Sequence, residues 1–160
     1  MQPYADFSLK DLHAALDERR IALGLTWSQA AREIGVSPST VAKLATRDAA
    51  EADGVLRMLH WLGRSPESFI PGHPKRSNAR LPEPPAGLVL RLDTASLHEA
   101  LEAQLEQRSL SWPSLAFKLA LGASSLKKLR SGGRASFPMV MRLTRWLSRP
   151  LAEFTKVSQR

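Results

Sequence analysis

The chain repeats itself. Displacing the sequence by 85 positions sets Leu12 on Leu97, His13 on His98, Leu16 on Leu101, Leu25 on Leu110, Trp27 on Trp112 and Ala31 on Ala116. The same displacement sets Ser39 on Ser124, Lys43 on Lys128, Leu44 on Leu129, Val55 on Val140, Arg57 on Arg142, Trp61 on Trp146 and Phe69 on Phe154. About 17 of 58 successive positions are identical without a gap. One offset held over that length implies two copies of one small unit, each of about 65 residues. The expected division is 1–72 for the first unit, 73–90 for a linker and 91–160 for a second, divergent unit. Five prolines between Pro71 and Gly87 forbid a regular helix there, so the stretch reads as a semi-extended linker. Leu88–Leu92 allows a short extended segment but fixes no element, and no alternation in either copy suggests strands.

Each copy reads as five short helices. Ser8 can cap a first helix in which Leu9, Leu12 and Leu16 recur at helical spacing, and Gly24 ends it. Thr26 caps a second that runs to Ile34. Gly35 breaks it. Ser37 caps a third, with Pro38 in its first turn. A fourth lies near Ala52–Leu62, and Pro66 opens a last short turn that ends at Phe69. The second copy matches from Thr94 onward, through Trp112–Leu119, Ala123–Leu129, Phe137–Leu147 and Pro150–Phe154.

The second and third helices carry the functional signal. Two helices that meet at a tight turn need a small residue at their crossing, which Ala31 supplies. The turn needs a left-handed residue, which Gly35 supplies without steric cost. Val41 must lock the third helix against the second, and Ala30, Ile34, Val36 and Leu44 complete the core. At about 100° per residue, Val41 and Leu44 point inward and leave Ser39, Lys43 and Thr46 outward, flanked by Thr40. Hydroxyl and ammonium groups on such a face can donate to and accept from base edges in a major groove. Thr26, Ser28 and Gln29 open the second helix, where unpaired N–H groups favour a phosphate.

Leu25–Leu44, with Trp61–Phe69 downstream, resembles the Cro/phage-repressor (Xre-type) helix-turn-helix family. The resemblance implies that the third helix enters the major groove and the loop after it meets phosphate. It implies base-reading roles for Ser39, Thr40 and Lys43, a backbone role for Arg47, and a place for Ser37 and Thr46 in the same interface. The fold class expected is all-α: two tandem five-helix lambda-repressor-like helix-turn-helix domains joined by a Pro-rich linker.

The second copy departs from the pattern. Ala120 stands at the turn glycine, and Gly122-Ala123 replaces Ser-Pro. Its apolar positions hold, at Leu115, Ala116, Leu119, Leu121, Leu126 and Leu129. Its outward face, with Ser114 at the preceding helix start, reads Ser124, Ser125, Lys127, Lys128 and Arg130, then Arg134. Charge follows the same asymmetry: −1 over residues 1–72, +3 over 73–92 and +6 over 93–160, for a net +8. A basic excess suits a polyanionic partner. Asp48, Glu51 and Asp53, after the first recognition helix, would repel phosphate if they faced it. Two unlike faces imply an asymmetric site. Half-sites on one face of a duplex lie about 34 Å apart, and roughly 18 extended residues reach about 60 Å. Lys75, Arg76 and Arg80 could follow the backbone as an arm or stay solvated.

Other chemistry is thinly supported. The chain has no Cys, so disulfides, thiolate metal sites and a cysteine nucleophile are excluded. His13 and His98 lack ligand-spaced partners and read as helix residues, and the four Trp read as core. No Ser/His/Asp set or phosphate-cradling glycine loop is present. The expectation is a non-enzymatic, cytoplasmic, nucleoid-associated regulator of transcription, a repressor, that binds double-stranded DNA. No cofactor, metal, small-molecule ligand or membrane partner is expected, and a homodimer is allowed but not required. The alternative is a protein-interaction adaptor or antitoxin-like module.

Overall fold

Five of the helices described start on a side chain that satisfies an otherwise unpaired N–H group. The computed structural model describes residues 6–46, 50–72, 80–132 and 134–159. Helix α1, Leu9–Ala22, opens on Ser8, whose Oγ accepts the Asp11 N–H at 3.1 Å. Helices α2 (Trp27–Ile34) and α3 (Pro38–Lys43) open on Thr26 and Ser37 in the same way, and a 3-10 turn, Leu44–Thr46, extends α3. Helix α4 (Ala52–Leu62) and a 3-10 turn (Pro66–Phe69) complete the first set. The second set comprises α5 (Thr94–Gln107), α6 (Trp112–Lys118), α7 (Ala123–Arg130), α8 (Phe137–Leu147) and a 3-10 turn (Leu151–Phe154). Each of these elements starts 85 residues after its counterpart.

The fold is mostly helical but not wholly so. Strands β1 (Leu88–Leu92) and β2 (Thr155–Gln159) pair antiparallel, with Leu90 opposite Val157. This corrects the all-α expectation. The pairing joins segments far apart in the chain, and β2 is a polar Thr-Lys-Val-Ser-Gln run without the apolar alternation of a half-buried strand. The first strand begins inside the stretch read as linker. Lys75 and Arg76 lie outside the described residues, while Arg80 is exposed.

The two sets meet through their backbones. Glu51 and Ser136 form an antiparallel bridge, with the Ala52 N–H donating to the Ala135 carbonyl at 2.9 Å and the Phe137 N–H to the Ala50 carbonyl at 2.7 Å. Positions 51 and 136 differ by the repeat offset, so equivalent residues pair with each other across a local two-fold, as in an isologous interface. Around this bridge Phe7 packs edge-on to Phe137, with centroids 4.8 Å apart, and touches Phe69 at 5.7 Å. Arg142 closes a bidentate pair on Asp6, Nε to Oδ1 at 2.8 Å and Nη2 to Oδ2 at 2.7 Å. That guanidinium holds the Asp6 carboxyl below its ordinary pKa. The Leu92 N–H donates to Asp53 Oδ1 at 2.9 Å, fastening β1 to α4. One hydrophobic cluster runs through both sets, from Leu12, Leu16 and Val55 to Leu97, Leu101 and Val140.

Glu67 is the exception in this interior. It is buried in its 3-10 turn, and among the described residues neither carboxylate oxygen has a well-aligned hydrogen-bond donor. Burial pushes its pKa up, against weaker opposition from the backbone N–H groups of Glu67 and Leu151. A raised folded-state pKa contributes stability below the ordinary glutamate pKa, and that contribution is lost as pH rises through the raised value. Glu67→Gln is therefore expected to raise stability at neutral pH by on the order of 1 kcal/mol, with the gain vanishing near pH 4. Denaturant unfolding at pH 4 and pH 7 checks this. An equal effect at both would contradict it.

Candidate nucleic-acid interface

Helices α2 and α3 are joined by one left-handed residue. Gly35 sits at φ 93°, and its N–H and that of Val36 both reach the Ala31 carbonyl. Ala31 is fully buried at the crossing, as are Val41 and, nearly so, Leu44 on the inner side of the third helix. From α4, Arg57 Nη1 donates to the Gly35 carbonyl at 2.6 Å, so the turn is held from behind as well as by its own bonds.

The expected interface residues stand on the outer side. Thr26, Ser28, Gln29, Ser37, Ser39, Thr40, Lys43 and Thr46 are all exposed. Some have local work. Thr26 and Gln29 form a reciprocal capping box, at 2.8 and 3.1 Å. Ser37 Oγ lies 3.1 Å from Ser39 Oγ and 2.7 Å from Thr40 Oγ1, and Thr46 Oγ1 donates to the Lys43 carbonyl. Arg47 and Asp48 lie outside the described residues. Asp53 is turned to the Leu92 N–H.

The corresponding elements of the second set have the same construction with poorer residues. Ser111 caps α6 and bonds Ser114, which is exposed. The turn residue Ala120 has φ 54°, and Arg142 Nη1 donates to the Leu119 and Ala120 carbonyls at 3.2 and 3.3 Å, as Arg57 does at Gly35. Leu126 and Leu129 are buried. Ser124, Lys127, Lys128 and Arg130 are exposed and Ser125 is half-buried. Arg130 lies over the Trp112 ring at 5.9 Å. Arg134 is exposed and lines a cleft with Ser39, Thr40 and Lys43, from the other set of helices.

Comparison with known families bears on the first set. Residues 16–50 match the helix-turn-helix family model. The matched segment spans the second half of α1, all of α2 and α3 and the 3-10 turn after them, and takes in nothing of the second set. A helix-turn-helix segment of this type points to a DNA-binding transcription regulator, a class that is generally non-enzymatic. Neither curated proteins nor solved structures gave a match. Among the described residues no helix is long and apolar enough to cross a membrane.

Sequence reading missed Arg57 and Arg142 as turn clamps and did not foresee that Arg91 and Arg134 share a cleft with the third helix. The recurrence of Arg57 and Arg142 at the repeat offset was the available signal. His13 and His98 proved to be stacking partners of Trp27 and Trp112, each pair at 5.0 Å.

The turn geometry yields a stability test. Among the described residues three that are not glycine have positive φ, Ser109, Ala120 and Ser148, and each falls where the first set has a left-handed glycine, at Gly24, Gly35 and Gly63. Left-handed backbone costs an L-residue about 1–2 kcal/mol, part of which glycine returns as chain entropy. Ala120→Gly is expected to stabilise the protein by roughly 0.5–1 kcal/mol. Gly35→Ala is expected to destabilise it, although its added Cβ would meet Arg57 only at an ordinary 3.6 Å. Urea midpoints read both, and a loss of stability in Ala120→Gly would contradict a left-handed turn there.

Proposed function

We propose that the chain is a two-headed reader of double-stranded DNA, a transcriptional repressor in which two helix-turn-helix units, one regular and one divergent, are fused as a pseudo-dimer. The observation that carries this reading is the reciprocal bridge between Glu51 and Ser136. Pairing of equivalent residues relates the two turn-containing units by a local two-fold, the relation a symmetric dimer of such units would need. The unlike faces, Ser39, Thr40, Lys43 and Thr46 on one and Ser124, Ser125, Lys127, Lys128 and Arg130 on the other, favour an asymmetric site. On this reading Lys43 donates to a base edge, Thr26, Ser28, Gln29, Ser37, Arg47 and Ser114 hold phosphates, and Arg134 adds a sequence-independent contact.

One observation favours a different role for the second unit. Phe117, on α6, is 91% exposed, a bare aromatic ring beside the basic helix. A unit that docks a protein partner would use such a ring, and the chain would then be an adaptor with a single DNA-reading head.

Selection of bound sequences from a random duplex pool tests both. The two-headed reading predicts a two-part asymmetric motif, and the adaptor reading a single short one. Lys43→Ala should cost about 1–3 kcal/mol and relax preference at one position of the motif. Arg134→Ala should weaken all sequences alike and reduce the salt dependence. Equal losses on selected and random DNA from Lys43→Ala would remove base reading from that residue.

A further inference from the structure

The local two-fold is broken at one residue pair: an arginine and a carboxylate on one side correspond to two arginines on the other. Arg142, in the second set, pairs with Asp6, which precedes α1. The residues at the same offset are Arg57, in α4, and Arg91, in β1. Arginine therefore stands at the position of the carboxylate. Both Arg57 and Arg91 line one cleft with a volume of about 550 Å3. Both also have a buried Nε that lacks a hydrogen-bond acceptor. Leaving such a donor unmet is costly, and a charged one more so.

Lys43 and Arg134 line the same cleft, so four cations face it against two carboxylates, Glu51 and Asp53. These carboxylates do not replace Asp6. Asp53 uses Oδ1 for the Leu92 N–H, and its Oδ2 makes only a loose ion pair with Arg91 Nη1 at 3.9 Å, too long for a hydrogen bond and unlike the bidentate Asp6–Arg142 pair. Glu51 is exposed. We propose that this cleft is a binding site for a phosphate-class oxyanion, which takes the place that the Asp6 carboxylate fills on the opposite side. The identification of the vacant carboxylate position rests on the fused-repeat reading. Oxyanion geometry suits guanidinium donors, which present parallel N–H groups. Because Arg57 also holds the Gly35 carbonyl, an anion here ties the turn before α3 to β1 and to Arg134 of the second set.

The oxyanion could be free or could belong to a DNA backbone, and two measurements on the full chain separate these. The first follows the unfolding midpoint as inorganic phosphate replaces chloride at constant ionic strength, without DNA. The site predicts a saturable rise, about 3–6 °C at roughly ten times the dissociation constant. The rise should be lost in Arg91→Gln and kept in Lys10→Gln, an exposed lysine on α1 outside the cleft. The second repeats this with selected duplex present. Competition between phosphate and DNA assigns the site to a backbone phosphate, and strengthening assigns it to a free anion. No saturable rise, or an equal rise in Arg91→Gln, overturns the site. The first arm needs no DNA, so its failure is distinct from a failure of the DNA-binding reading, which would show as no enriched sequence.

Discussion

Two backbone hydrogen bonds, Ala52 to Ala135 and Phe137 to Ala50, set the relation between the two sets of helices. They are made by equivalent residues, and so impose a local two-fold on whatever each set carries. The packing follows from this. Phe137, at the bridge, is fully buried and receives Phe7 edge-on; Asp6, one residue earlier, is then in reach of Arg142. Strand β1 lies along α4 and is pinned by Asp53. A hydrophobic cluster continuous through both sets means that neither is packed as an independent bead on a string. The arrangement makes the chain between the sets secondary as a spacer, because the bridge and the core fix the geometry.

The differences between the two sets of helices have a physical pattern. The first set keeps glycine at three left-handed positions, while the second holds Ser109, Ala120 and Ser148 there. The second set still adopts the turns, because the buried face is intact: Leu97, Leu101, Leu115 and Leu129 are as deeply buried as Leu12, Leu16, Ala30 and Leu44. Burial of a few leucines outweighs a cost of about 1–2 kcal/mol per strained residue. The strained turn and the shift toward lysine and arginine go together with the family match, which takes in α2 and α3 and none of the second set.

Most of the helical framework was legible in the sequence, for reasons visible at single residues. Ser8, Thr26 and Ser37 cap where their side chains predict, and Gly24 and Gly35 end helices in left-handed conformations. The outward placement of Ser39, Lys43, Lys127 and Lys128 followed from the helical period once Val41, Leu44, Leu126 and Leu129 were assigned inward. The rest was not legible because it depends on contacts distant in sequence. The β1–β2 pairing, the Glu51–Ser136 bridge and the Asp6–Arg142 pair join positions that no local pattern relates. Asp53, read as a possible obstacle to phosphate, is turned to the Leu92 N–H. Arg91, unremarked in sequence, enters the cleft beside α3.

The bridge and the shared core, and not the connecting residues, hold the two sets of helices at a fixed distance. The absence of native cysteine makes this directly measurable. Spin labels on cysteines introduced at Lys43 and Lys128, exposed positions 85 residues apart on α3 and α7, report the separation of the two sets. The account predicts one narrow distance distribution, unchanged when ten Gly/Ser residues are inserted between Lys75 and Arg76. A broad distribution, or one that shifts and widens with the insertion, would show that the two sets are tethered and not locked.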